Sequence, residues 1–107
     1  MIRVASTSKT SGVAGAIAHS IRESGQAQIQ GIGAGAVNQM MKATIRAKHF
    51  LSEEGTDIVF TPDYVEVSID GEMRTALRLT VTPTVDGWVP AANNVAVGGL
   101  NPIPADY

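Results

Sequence analysis

Two alternating runs flank Asp70-Gly71, and they leave little choice for the second half of the folded body. "YVEVSI" (64–69) precedes the dipeptide and "RTALRLTV" (74–81) follows it. Side chains of a strand point alternately to its two faces, so each run reads as a strand with one buried side. Asp-Gly between such runs favours the two-residue turn that joins antiparallel strands. On the second run Arg74 and Arg78 share a face with Ala76 and Thr80, while Thr75, Leu77, Leu79 and Val81 form the other. The arginines are therefore expected to point away from the core, toward a partner subunit, a nucleic-acid backbone, or cross-strand ion pairs with Glu66 and Glu72.

Upstream, the hydrophobic period changes in a readable order. "IRVAST" (2–7) reads as a short first strand and "SKTSG" as loop, with Thr10 or Ser11 placed to cap a helix. Val13, Ile17 and Ile21 recur every four residues, widened by Ala14 and Ala18, and Gly25 is a natural stop. "QAQIQGI" (26–32) alternates glutamine with apolar residues and predicts a strand wet on one side. A second helix is expected over 35–50, with Val37, Met41 and Ile45 as its apolar stripe and Met40 and Thr44 beside it. "GTDIVF" (55–60) predicts a third strand that bends or breaks at Pro62-Asp63.

The predicted class is α+β in the order β-α-β-α-β-β, with two helices on one face of a mixed four-stranded sheet. Aromatic residues are only 5% of the 107, so the core must come from Ala, Val, Ile, Leu and Met. Residues 1–83 read as one domain. Residues 84–107 hold Pro90, Pro102 and Pro104 and no Lys or Arg, and read as a Pro/Gly-rich tail, loose or docked through Trp88-Val89.

There is no cysteine, which excludes disulfides, thiol catalysis and the common structural zinc sites. The N-terminus lacks the apolar segment of a signal peptide, and no run approaches the roughly 20 apolar residues of a membrane span. A cytoplasmic protein without a membrane partner is expected. The formal net charge is −2, so any acidic polymer must be met by a local patch.

"GIGAGAVNQMMKA" (31–43) joins a predicted strand to a predicted helix. Its glycines fit the G-x-G-x-x-A form of a dinucleotide turn, but the acids that follow, Glu53, Glu54 and Asp57, precede the next strand instead of ending it. No Gly-Lys-Ser/Thr follows for a phosphate loop. Packing of a helix start close against the sheet is the favoured reading, and an anion or small nucleotide at Gly33–Gly35 the alternative.

His19 and His49 lack metal-ligand spacing, Glu53-Glu54 reads as a solvated loop pair, and no nucleophile elbow is present. No enzyme constellation, metal or cofactor is expected. Asn38, Lys42, Arg46 and His49 follow i, i+4, i+8, i+11 spacing and form a polar-to-basic helical stripe. Lys9 lies among Ser6, Thr7, Ser8, Thr10 and Ser11 before the first helix, a combination suited to phosphate.

Three segments together resemble the stage V sporulation protein S family: Ser11-Gly-Val-Ala-Gly-Ala-Ile-Ala18, Ile32-Gly-Ala-Gly-Ala-Val-Asn-Gln39 with Lys42-Ala43, and Ile69-Asp-Gly-Glu-Met-Arg-Thr-Ala-Leu-Arg-Leu79. The resemblance covers about residues 2–83. It implies an Alba-like fold, related in shape to the C-terminal domain of translation initiation factor 3. It also implies a small, dimeric or larger regulator of sporulation that binds nucleic acid. By that resemblance Lys9 takes the position of the lysine before the first helix, and Arg74 lies in the basic hairpin arm. Two departures stand out: the loop reads "TSKTSGVAG" without the family's Pro-Asn, and the hairpin turn carries Asp70 and Glu72. The expected nucleic-acid contacts are Lys9, Ser11, Asn38, Lys42, Arg46 and Arg74. The competing expectation is an oligomeric protein-binding scaffold that uses the open sheet face and the tail.

Overall fold

The strand that contains Pro62 does not break. In the computed structural model, which describes residues 1–84, it runs unbroken over Ile58–Ile69 and pairs along its whole length with Glu72–Pro83. The elements are β1 (Ile2–Val4), α1 (Thr10–Ser24), β2 (Ala27–Gly31), α2 (Ala34–Ser52), β3 (Ile58–Ile69) and β4 (Glu72–Pro83). The sheet order is β1-β2-β4-β3. Strand β3 is therefore an edge, where a residue without an N–H costs no ladder bond on its open side. That removes the reason to expect a break at Pro62-Asp63.

Strands β1 and β2 are parallel, and β2 and β3 each run antiparallel to β4. The arrangement is the expected α+β β-α-β-α-β-β order with a mixed sheet. Asp70 and Gly71 both have positive φ, 50° and 82°, as the two-residue hairpin turn requires.

One core joins both helices to one face of the sheet. Val13, Ala14, Ile17, Ala18 and Ile21 of α1 and Met40, Ala43, Ala47 and Leu51 of α2 meet Val4, Ala27, Ile29, Leu79 and Val81. In β4 Leu79 and Val81 are buried under the helices and Arg74 and Arg78 lie on the other face, where the small Ala76 between them is buried as well.

The apolar stripe of α2 differs from expectation. Ile45 is 53% exposed and Val37 and Met41 are only partly buried, whereas Ala36, Met40, Ala43, Thr44, Ala47 and Leu51 are buried. A strict four-residue step drifts around a helix of 3.6 residues per turn. Mixed steps of three and four keep the alanines facing inward, and their small size lets α2 lie close to Ala14 and Ala18 of α1. Buried Thr44 is satisfied within the helix, its Oγ1 donating to the Met40 carbonyl at 2.8 Å.

Beyond Ile58, which is buried in the core, the helices leave β3 uncovered. Phe60 and Tyr64 stand in register with Val81 and Leu77, on the helix side, yet are 37% and 80% exposed. Met73, near the hairpin turn, is exposed as well. The expectations for residues 84–107, including Trp88-Val89, lie almost wholly outside the described residues.

Candidate nucleic-acid interface

Because β1 and β2 are parallel, the loops that leave them deliver both helix N-termini to the same end of the molecule. Neither N-terminus is capped by a side chain. Lys9 is the N-cap of α1 and Gly33 that of α2, and neither makes a side-chain cap bond. The expected capping by Thr10 or Ser11 does not occur, since the helix already begins at Thr10. The nearby Ser8 hydroxyl is occupied instead, accepting from the Ala5 N–H at 2.9 Å within the β1–α1 loop. The first-turn N–H groups at this end therefore have no side-chain cap, and the positive end of each helix dipole lies behind them.

The loop is tied to α2 at two points. Gln39 Nε2 donates to the Ser8 carbonyl at 2.8 Å, and Arg46 Nη1 donates to Thr10 Oγ1 at 3.3 Å. Lys42 lies between them on the helix, three residues after Gln39 and four before Arg46, so these side chains share one strip of surface. Asn38 precedes Lys42 by one turn, and Ser11 follows Thr10; both are exposed. Arg46 thus meets the start of α1 directly, Lys42 and Asn38 continue the row along the exposed side of α2, and Lys9 and Ser11 flank Thr10 in the chain. Arg74 does not join them. It lies on the hairpin in register with Val67, on the sheet face turned away from the helices.

The glycine-rich turn is explained largely by close contact. A Cβ on Gly35 would sit 2.7 Å from Ser6 Cβ, and one on Gly31 would meet Met40 Sδ at 2.8 Å and Ala36 Cβ at 2.9 Å. Gly33 has φ 90°, which L side chains rarely adopt. Packing and backbone conformation account for the three, in line with the favoured reading.

Charge is sorted along the helices. Glu54 accepts a bidentate pair from Arg22, and Lys48 Nζ lies 3.9 Å from Asp57 Oδ1. Both pairs are near the helix C-termini, where Glu23 and Glu53 also lie. Among the described residues no ion pair holds Lys9, Lys42, Arg46 or Arg74. The Arg22 hydrogen bonds hold the Glu54 carboxyl below its ordinary pKa, and Glu54 in turn raises that of Arg22.

Of the alternative uses for Arg74 and Arg78, ion pairs with Glu66 and Glu72 do not form among the described residues. Glu66 accepts from Thr75 Oγ1 at 2.8 Å, and Arg78 donates to Gln30 Oε1 through Nε at 3.2 Å and Nη2 at 2.9 Å. Arg3, Gln30, Arg78 and Asp63 are successive register partners across the open face. Arg3 and Gln30 were not among the residues expected to bind. Their adjacency depends on which strands pair, and only the wet glutamine face of β2 is visible in the chain itself.

The family model for stage V sporulation protein S matches residues 1–84, well over half of the chain. The chain belongs to the stage V sporulation protein S family. Membership carries a sporulation-related role. Within this family member, among the described residues, no helix is long and apolar enough to cross a membrane, and no three His, Cys, Asp or Glu side chains are grouped to hold a metal ion.

Proposed function

We propose that this protein is a non-enzymatic sporulation or developmental regulator that binds nucleic acid through phosphate contacts, with low sequence specificity. The observation that carries the reading is the Arg46–Thr10 hydrogen bond, which sets the cationic row of α2 beside the uncapped start of α1. Backbone N–H groups, hydroxyls and unpaired cations on one surface are the groups that phosphates recruit. The charge sorting helps a chain of net charge −2 to attract a polyanion: four acids, against two paired cations, lie toward the C-terminal ends of the helices. Base-reading groups are few on this strip, so contacts to phosphate dominate.

The second reading is an oligomeric protein-binding scaffold. It is favoured by the uncovered side chains Phe60, Tyr64 and Met73 along the long β3–β4 edge. The two readings are compatible, since a dimer or larger homo-oligomer formed there leaves the helix N-termini free and doubles the cationic surface. The Lys9→Ala/Arg46→Ala double variant separates them. Loss of binding to DNA or RNA with the oligomer intact supports the first reading; loss of the oligomer supports the second. Wild-type binding at low salt is expected with a Kd below about 100 μM. No detectable binding at that concentration contradicts the first reading.

A further inference from the structure

The hairpin approaches the ends of the two parallel strands and encloses an open cleft of ≈ 450 Å³. Arg3, Ser6, Gln30 and Ile32 line one side, and Val67, Ser68 and Ile69 the other. The cleft lies at the carboxyl ends of β1 and β2, the position at which α/β proteins commonly take ligands. Its polar lining is rich in donors. Gln30 Oε1 is held by Arg78, so the amide NH2 of Gln30 is left to donate, alongside the Arg3 guanidinium and two serine hydroxyls. Val67, Ile69 and Ile32 supply apolar surface. Ser6 links the cleft to the phosphate-facing end, because it packs against Gly35 in the first turn of α2.

Resting on the phosphate-binding reading above, the geometry points to a pocket for one unpaired nucleobase bearing carbonyl oxygens, beside the backbone contacts made at the helix N-termini. Carbonyl acceptors on guanine, uracil or thymine match the donor-rich wall, and the face of the ring matches the aliphatic wall. A duplex keeps its bases stacked and cannot fill the cleft without losing pairing. The protein therefore prefers single-stranded or looped nucleic acid to a duplex.

The test uses the full chain and two probes: a short single strand with 2-aminopurine flanked by guanines and thymines, and the same strand annealed to its complement. The expected result is tighter binding of the single strand, with aminopurine emission rising as stacking is lost. Arg3→Gln/Ile69→Ser should weaken single-strand binding about tenfold and leave duplex binding within about twofold. Both positions are exposed, and an unchanged melting curve verifies the fold. Ile69→Val should retain the preference. Equal affinity for the two probes, or equal weakening of both by the double variant, overturns the base pocket while leaving phosphate binding intact. Failure of the wild type to bind either probe overturns the phosphate reading and the pocket together.

Discussion

Arg46 donates to the hydroxyl of Thr10 across 36 residues of chain, joining the middle of α2 to the first residue of α1. The contact is exposed, so its role is to orient the guanidinium more than to hold the helices together. Thr10→Val removes the acceptor and nearly preserves the volume. Unfolding free energy should change by less than about 1 kcal/mol, whereas affinity for a nucleic-acid duplex should fall. Chemical denaturation and fluorescence anisotropy on the same variant verify the two outcomes.

The glycines of the β2–α2 turn predict a graded stability series. Gly31→Ala forces its new methyl against Met40, Ala36 and the Val4 carbonyl, and should cost about 1–3 kcal/mol. Gly35→Ala meets one residue only, Ser6, and gains helix propensity in the first turn of α2, so it should cost less. Urea denaturation orders the two variants.

Helix α1 offers opposite signs from one kind of substitution. Gly15 lies inside the helix with open space around it, so Gly15→Ala should stabilise by about 0.5–1 kcal/mol. Gly25 ends the helix at φ 80°, its N–H donating to the Ile21 carbonyl, and Gly25→Ala should destabilise by about 1 kcal/mol despite equally open space. Thermal melts of the two variants, compared with wild type, read the signs directly.

The Arg22–Glu54 pair predicts a pH dependence. Its hydrogen bonds lower the Glu54 pKa relative to the unfolded chain. The folded state thus gains from this carboxylate above the ordinary glutamate pKa and loses that gain as pH falls through the lower folded value. Both side chains are solvent-exposed, so the effect on stability is small. Carboxyl NMR should place the Glu54 midpoint below the ordinary glutamate range, and Arg22→Ala should return it upward.

The elements most visible in the sequence were those with a clear period and a clear stop. The β4 alternation, the Asp70-Gly71 turn and the Gly25 end of α1 all express local rules. The features that were not visible depend on neighbours. Pro62 suggests a break until its strand is known to be an edge. Ile45 looks like core by size and spacing, but the close approach of the helices is made by alanines. At the candidate interface, Lys9, Lys42 and Arg46 were legible as cations, while their meeting depends on the Gln39 and Arg46 ties to the first loop. Arg3 and Gln30 become neighbours only through strand register.

The most direct measurement is the salt dependence of duplex binding by wild type and by Lys42→Ala/Arg46→Ala. For wild type, log affinity should fall linearly with log salt, and the double variant should bind more weakly with a slope shallower by about 0.9 for each phosphate contact removed. Identical affinities and slopes for the two proteins would contradict a phosphate-binding surface at the paired helix N-termini.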